Sequence, residues 1–277
     1  MKELTIIMYA SIILENIPTY QARIDLISTP IHDDFVGFRE VPCGLHYVNV
    51  KTQNNYPGFW CYVKSDQVVV KMLRARTKEF EDSDPVGTAQ HQKLLSYGLL
   101  EDDMIPYDHK KWGSWLLLTC HIDSRYFPVT LHTSQPSLSP SQPSQLDWEK
   151  EVFETHKGNP YSFMTEFQFA FIRWYVSDLD CPATDAEAFN RWSYLVEATC
   201  NADIASLDKA PELVNIIADD LISQFNSLDD SLLPANDPLV NAARLLQEKM
   251  LNGEIPYLLS QGKKLKNYLE QRYGNFG

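Results

Sequence analysis

The chain has 277 residues and a formal net charge of −13, and 44% of its residues are hydrophobic and 12% aromatic. This length is sufficient for two domains, and the composition excludes an intrinsically disordered protein. The charge is uneven, because residues 147–248 hold six Lys and Arg against 19 Asp and Glu. We therefore expect no direct binding of nucleic acid by this segment. It either meets a basic protein surface or serves only solubility.

The cysteines and the first residues indicate a reducing compartment and no membrane segment. The five cysteines include no C-x-x-C pair, which argues against a disulfide framework and a zinc ribbon. The apolar run at residues 4–14 lacks a small-residue cleavage site and is too short to span a bilayer. We expect it to form a buried strand.

Residues 1–80 are rich in Ile, Val, Tyr and Phe, arranged in short runs that turn residues separate. Five or more such strands predict an antiparallel β-sandwich or a barrel-like sheet. A helix is predicted near residues 88–97. Residues 132–145 contain five serines, three prolines and no Asp, Glu, Lys or Arg, which predicts a flexible linker.

After the linker the periodicity becomes helical. Asn159 followed by Pro160 predicts one helix start, and Thr184 with Glu187 predicts a capping box for the next. Pro211 and Asp237-Pro238 predict two more starts, and the final helix is expected to break at Gly262. The predicted fold class is α+β. An antiparallel β-sandwich-like domain occupies residues 1–131, a linker residues 132–146 and an all-α domain residues 147–277.

One stretch, residues 35–48, reads F-x-G-h-R-x-h-P-x-G-h-H-h-h, where h is apolar. Pro42 restricts φ and Gly44 permits positive φ, so the pattern predicts two strands joined at a tight corner. Further motifs follow at residues 12–18, 24–25, 58–60, 105–107, 166–171 and 188–192. In this order they resemble the a1-alpha2 repression family of splicing factors over about residues 10–225. The matching signature residues, which we expect to be mostly structural, are Phe35, Gly37, Pro42, Gly44, His46, Trp60, Tyr107, Trp112, Glu166, Phe167, Gln168, Phe169 and Trp192.

The resemblance implies a non-enzymatic factor, without a cofactor, for U5 snRNP assembly. Members hold the large U5 scaffold protein at its RNase H-like and nuclease-like domains and exclude the U5 helicase until the particle matures. We therefore expect a cytoplasmic monomer that can shuttle to the nucleus. Because family members have a longer linker and a C-terminal tail, the resemblance implies a short form lacking that tail. Phosphorylation assists release in the family, and Ser139, followed by Pro140, is the candidate phosphosite.

Residue patterns of catalysis and metal binding are weak. The chain contains no G-x-x-x-x-G-K-S/T, G-x-G-x-x-G, H-E-x-x-H or G-x-S-x-G motif. His46 is the best lone candidate for acid–base chemistry, although its strand position favours a hydrogen-bonded structural histidine. Cys120 and His121, adjacent on an expected strand, would point to opposite faces and make a poor metal site. Glu166 is expected to be a buried hydrogen-bonding group.

Two basic segments have alternative interpretations. The run Lys71, Arg74, Arg76 and Lys78 indicates a charged strand edge or a phosphate contact. Near the C-terminus, the candidate partner contacts are Lys263, Lys264, Lys266 and Arg272, although these residues could only complement the dipole of their own helix. Two other functions stay open. One is a helical adaptor that binds peptides outside splicing, and the other is a hydrolase or transferase with an unrecognised interdomain site.

Overall fold

The structure, a computed structural model, describes residues 9–17, 21–53, 55–127, 147–180 and 185–274. It divides into two compact units, Met1–Leu116 and Leu117–Gly277. The described strands lie in the first unit, and the long helices follow in the second, which confirms the α+β class. The predicted linker at residues 132–146 and Ser139 within it lie outside the described residues.

The described part of the first unit contains two β-sheets. A five-stranded sheet has the order β8-β7-β1-β4-β9 and a four-stranded sheet the order β3-β2-β5-β6. A turn of 3-10 helix, Glu101–Asp103, precedes the last strand, and the division between the units falls within the second helix. The bounds are β1 (Tyr9–Glu15), β2 (Gln21–Ile24), β3 (Ile27–Pro30), β4 (Gly37–Pro42), β5 (Gly44–Lys51), β6 (Gly58–Val63), β7 (Val68–Leu73), β8 (Phe80–Asp82), β9 (Met104–Pro106), α1 (Pro85–Ser96) and α2 (His109–Thr119).

The two sheets differ in strand direction. The four-stranded sheet is antiparallel throughout, as predicted. In the five-stranded sheet, however, β1 pairs in parallel with β7, and β4 pairs in parallel with β9. The antiparallel expectation is therefore wrong for these two pairs, and this sheet is mixed. A parallel pair requires a long crossover between its strands, and a reading of neighbouring runs along the sequence does not reveal such pairing.

The core of the first unit forms from alternate residues of its strands. Ile12 and Leu14 of β1 pack with residues of β4 and β5 such as Phe38 and Val48, and all four side chains are buried. The predicted buried strand within residues 4–14 is thus confirmed from Tyr9 onwards, and residues 1–8 lie outside the described part.

Across β7 and β8, charged side chains form cross-strand pairs. Lys71 Nζ lies 2.7 Å from Asp82 Oδ1, and Arg74 Nε lies 2.7 Å from Glu81 Oε2. Lys71 and Arg74 are thus paired with carboxylates, which disfavours a phosphate contact at these two residues. The charged-edge interpretation is wrong for Lys71, because β7 is an inner strand of its sheet and β8 is at the edge.

The second unit is helical in its described part from residue 147 onwards. Its first helix continues as a π-helical turn, Lys150–Thr155. None of the helices in the described ranges is long and apolar enough to cross a membrane. The bounds are α3 (Asp147–Glu149), α4 (Pro160–Asp180), α5 (Ala186–Asn201), α6 (Ile204–Leu207), α7 (Pro211–Ser227), α8 (Pro238–Asn252) and α9 (Pro256–Tyr273).

Several helix starts follow the capping signals of the sequence. Asn159 Oδ1 accepts a hydrogen bond from Tyr161 N at 3.0 Å, and Asp237 Oδ1 accepts one from Leu239 N at 2.8 Å. The cap of α5 differs from the prediction. Asp185 Oδ1 accepts from Ala188 N at 3.0 Å, whereas Thr184 lies outside the described residues.

The expected break of the final helix at Gly262 is wrong, because α9 is continuous through that residue. A Cβ at Gly262 would lie 2.9 Å from Met250 Cβ. The glycine therefore serves the close approach of α9 to α8 and does not interrupt the helix.

The core of the second unit is an aromatic cluster. The Trp192 ring packs 5.0 Å from Phe171, 5.3 Å from Trp174 and 6.4 Å from Phe225, measured between centroids. Its Nε1 donates to Gln224 Oε1 at 2.8 Å, so its polar atom is satisfied inside the core. Both Phe171 and Trp192 are fully buried, as their helical spacing predicts.

Candidate functional site

The signature residues of the first unit surround one buried carboxylate, that of Asp25. His46 Nδ1 lies 2.7 Å from Asp25 Oδ2, and the Tyr107 hydroxyl donates to the same oxygen at 2.9 Å. The other oxygen, Asp25 Oδ1, accepts from the Tyr47 backbone N–H at 2.9 Å. On the far side of the imidazole, His46 Nε2 lies 2.7 Å from the Pro42 carbonyl oxygen. We call Asp25, His46 and Tyr107 the Asp25 cluster.

The Pro-x-Gly corner between β4 and β5 builds this cluster. Pro42 provides the carbonyl that contacts His46, and Gly44, with φ of +141°, begins the strand that carries the histidine. A Cβ at Gly44 would lie 3.3 Å from Trp112 Cη2, so the glycine leaves room for the indole. The Trp112 ring stacks on His46 with a centroid distance of 5.6 Å and an interplanar angle of 21°. The Pro-x-Gly motif therefore has a structural role, because it positions His46 and leaves space for Trp112.

The surroundings of this cluster favour the protonated form of its tyrosine. Both His46 nitrogens face oxygen atoms, Asp25 Oδ2 and the Pro42 carbonyl oxygen. Burial and the Asp25 charge raise the pKa of Tyr107, and the same two causes raise the pKa of Cys61 to about 12. Because His46 is fully buried and both nitrogens are occupied, it has no free position for a substrate.

The remaining signature residues of the first unit are packing residues. Phe35 packs edge-on against Phe38 with a centroid distance of 5.4 Å. A Cβ at Gly37 would lie 2.1 Å from the Ile12 carbonyl oxygen, so only glycine permits β4 to approach β1 this closely. Trp60 stacks on Trp115 with a centroid distance of 6.3 Å.

In the second unit, the signature on α4 attaches residues 121–127 to the helices. Phe167 and Phe169 are buried, and Phe169 packs 5.1 Å from Phe127 between ring centroids. Gln168 Oε1 accepts from the His121 backbone N–H at 2.7 Å. One turn earlier, Thr165 Oγ1 accepts from the Asp123 N–H at 2.9 Å. These contacts join residues 121–127 to the helices of the second unit.

Glu166 belongs to a buried charge network with Arg191, Glu151 and His156, which we call the Arg191 network. Arg191 Nε donates to Glu166 Oε1 at 2.6 Å, and its two terminal nitrogens donate to Glu151 at 3.2 and 2.8 Å. His156 Nε2 lies 2.9 Å from Glu166 Oε2. Burial alone would raise the pKa of Glu166, but His156 and Arg191 outweigh it and lower this pKa to about 2.

The network confirms the expectation of a buried, hydrogen-bonded Glu166. Its other members were not predicted as functional residues. Arg191 of this network and Asp25 of the Asp25 cluster both lie in motifs that resemble the family. A charged residue inside an apolar run is the sequence signal that could have predicted both. Glu151 has no comparable local signal, because its importance comes from a residue 40 positions away.

Cys120 and His121 do not lie on a strand, because α2 ends at Thr119 and a turn follows. The alternation of side chains expected for a strand therefore does not apply to them. Cys120 Sγ lies 3.8 Å from His121 Nδ1, which in turn lies 3.2 Å from Asp220 Oδ1. Hydrogen bonds to Asp220 and Cys120 raise the pKa of His121 to about 10, and burial raises the pKa of Asp220. Within the described ranges, no group of three or more such side chains is placed to hold a metal ion.

The four candidate contacts near the C-terminus have different surroundings. Arg272 is used inside the unit, since it donates to the Leu228 carbonyl at 2.6 Å and to the Phe225 carbonyl, and its side chain is 15% exposed. Lys264 pairs with Asp219, and Lys266 Nζ lies 3.6 Å from Glu270 Oε1. Lys263 is exposed and forms no ion pair with another described residue. The three lysines thus remain on the surface.

Comparison with known proteins agrees with the motifs. Residues 8–133 match the family model described as the AAR2 N-terminal domain. A curated protein of Caenorhabditis elegans, "Protein AAR2 homolog", is 26% identical over 144 residues. This alignment covers 49% of the chain and 40% of the relative. Over residues 8–133, the chain is therefore similar to the N-terminal domain of the AAR2 family.

Proposed function

We propose that this protein is a non-enzymatic assembly factor for the U5 snRNP in pre-mRNA splicing. The observation that carries the proposal is the match of residues 8–133 to the AAR2 N-terminal domain, because the family acts in this assembly. The internal contacts of the polar signature residues support a binding role over a catalytic one. The polar groups of the Asp25 cluster and the Arg191 network contact one another inside the units and are not presented to a substrate.

The partner in this proposal is the large U5 scaffold protein, bound at its RNase H-like and nuclease-like domains so that the U5 helicase is held off. The excess of Asp and Glu in residues 147–248 supports a basic protein surface as the target. Lys263, Lys264 and Lys266 would add a second contact at the rim. The proposal also includes a cytoplasmic monomer that shuttles to the nucleus.

A pull-down with the tagged full chain tests the function. We expect U5 proteins, including the large scaffold protein, to be recovered from cell extract. Recovery of an unrelated set of proteins would instead favour a peptide-binding adaptor. The comparison of extracts from cytoplasmic and nuclear fractions would show where the complex exists.

Calorimetry with the purified RNase H-like domain tests the partner. We expect binding that weakens by about 0–1 kcal/mol per lysine when Lys263, Lys264 and Lys266 are changed to Gln, since exposed charge pairs contribute this much. The matched control changes Lys64, Lys78 and Lys110 to Gln, which alters the net charge equally but in the first unit. Absence of binding at about 100 μM, which corresponds to about −5.5 kcal/mol, would contradict the proposed partner.

Phosphorylation of the linker is the proposed release step. A phosphate at Ser139 adds roughly −1.5 to −2 charges to a segment that has no Asp, Glu, Lys or Arg. Close to an acidic unit, this charge should weaken a complex that needs both units. We expect Ser139→Glu, but not Ser139→Ala, to lower the affinity in the same calorimetric assay, and equal affinities would remove the support for this site.

A further inference from the structure

Helix α1 and the turn after it carry large apolar side chains that the first unit leaves exposed. No residue of α1 is buried. The three most exposed large apolar side chains of the described residues lie on it or just after it, with Val86 77%, Tyr97 65% and Leu99 63% exposed. Val86 lies at the start of the helix, whereas Tyr97 and Leu99 flank Gly98 just after its end. Single exposed apolar side chains are ordinary, but two large ones this close in the chain are a candidate interaction surface.

At the end of α1, two leucines pack on the core of the first unit and a third is exposed to solvent. Gly98, with φ of +68°, donates to the Leu95 carbonyl at 2.9 Å, and Leu99 N donates to the Leu94 carbonyl at 3.1 Å. This Schellman arrangement ends the helix, and its last residue often packs back on the helix. Here Leu95 and Leu100 contact the core cluster, whereas Leu99 stays exposed. Packing within the first unit therefore does not explain why a leucine occupies position 99.

A carboxylate lies beside the backbone between Tyr97 and Leu99, and a second one follows it in the chain. A Cβ at Gly98 would lie 3.9 Å from Glu101 Oε1, so this carboxylate is next to the backbone between Tyr97 and Leu99. Glu101 and Asp102 are both exposed, and neither forms an ion pair with another residue of the described chain. We call Tyr97, Leu99, Glu101 and Asp102 the α1 patch.

The chemistry of the patch selects one class of occupant. Two unpaired carboxylates repel a phosphate backbone, which disfavours RNA. An arginine fits, because its planar guanidinium can stack on the Tyr97 ring and donate two hydrogen bonds to a carboxylate such as Glu101. An apolar neighbour of that arginine would cover Leu99.

We propose that the α1 patch binds an arginine-bearing segment of a protein partner. This inference concerns a surface of the first unit and does not depend on the assignment of the U5 scaffold protein. The carboxylates of the patch are complementary to the positive charge of an arginine. The exposed Tyr97 and Leu99 would add an apolar contact to this charge pair.

The test is a titration of the isotope-labelled full chain with a short peptide in which two arginines flank a leucine within a glycine–serine background. We expect the amide signals of residues 94–103 to shift. The double variant Tyr97→Ser, Leu99→Ser should bind at least about tenfold more weakly. The same loss is expected for Glu101→Lys with Asp102→Lys, and for a peptide with lysine in place of arginine, because lysine lacks the planar fork.

The matched control is the double variant Tyr161→Ser, Leu245→Ser, which removes two side chains of the second unit that are 62% and 45% exposed. It should bind the peptide as the unchanged chain does. Shifts confined to the acidic residues 147–248, or undiminished binding by the Tyr97 and Leu99 variant, would overturn the proposal. An RNA oligonucleotide that produced the shifts at residues 94–103 would overturn it too. Recovery of U5 proteins in a pull-down bears only on the function proposed above.

Discussion

At the scale of single residues, the helical unit contains a network of buried charges. The side chain of Arg191 is 12% exposed, and its guanidinium donates to both Glu151 and Glu166. A buried charge is costly unless hydrogen-bonded partners balance it. The loss of one member should therefore be more damaging than its own contacts suggest, since the others remain buried without compensation.

We expect Arg191→Met to lower the free energy of unfolding by about 3–5 kcal/mol, because two carboxylates are left buried without their counter-charge. Urea denaturation followed by circular dichroism measures this value. The control is Lys209→Met in the same unit, which removes an exposed pair with Glu149 and should cost about 0–1 kcal/mol. Equal losses in the two variants would contradict the role of the Arg191 network.

The lowered pKa of Glu166 leads us to expect a pH-dependent free energy of unfolding. Its value is lowered from 4.5 to about 2 in the folded chain, so the ionised side chain stabilises the fold above about pH 4.5. That contribution, roughly 3 kcal/mol, should disappear as the pH falls through about 2. The advantage of the unchanged chain over Glu166→Gln in unfolding free energy should shrink over this window. If the difference in unfolding free energy between the two proteins stays constant from neutral pH to about pH 2, the pKa of Glu166 is not lowered in the folded chain.

At the scale of elements, close backbone approach decides how the strands and helices pair. Gly37 permits β4 to lie against β1, and Gly262 permits α9 to lie against α8. In both places, a Cβ would meet atoms of the neighbouring element at 2.9 Å or less. These glycines are therefore set by tertiary contact and not by local turns.

We expect Gly37→Ala to destabilise the first unit, because the Cβ would lie 2.1 Å from the Ile12 carbonyl oxygen and β1 would have to move. The loss should be at least about 1–3 kcal/mol. Gly113→Ala is the matched control, since nothing lies within 4 Å of its Cβ in α2. This change should stabilise the chain by roughly 0.5–1 kcal/mol. Thermal denaturation of the two variants distinguishes them by the sign of the change.

At the scale of the whole molecule, the boundary between the units differs from the boundary of the predicted linker. Residues 117–127 group with the helices, through the contacts of His121, Asp123 and Phe127 with α4. The sequence predicts the linker only afterwards, at residues 132–146. A cut in the linker would therefore leave part of the helical unit on the N-terminal fragment.

We expect limited proteolysis to cut first within residues 132–145, because this segment is rich in Ser and Pro and has no Asp, Glu, Lys or Arg. The fragments should run to about residue 131 and from about residue 147. Because residues 121–127 pack on α4, both fragments should elute together in gel filtration and separate in urea. A first cut within residues 9–127 or 147–274 would contradict this expectation.

The sequence by itself determined what depends on near neighbours. The strand-rich first part, the helix starts at Asn159, Pro211 and Asp237, and the core positions of Phe171 and Trp192 could all be predicted. Alternation, helical spacing and end caps act over a few residues and are visible in a single chain. The resemblance to the family likewise rests on the motifs, since each is a short local pattern.

Only the tertiary structure decided which distant residues meet. Tyr107 and Asp25 are 82 positions apart, Arg191 and Glu151 are 40 apart, and β1 pairs in parallel with β7. No local pattern contains this information, because a buried charge or a strand edge is satisfied by whichever element packs against it. The roles of Asp25, Arg191 and Gly262, and the exposure of Tyr97 and Leu99, therefore became visible only once the faces of the folded units were known.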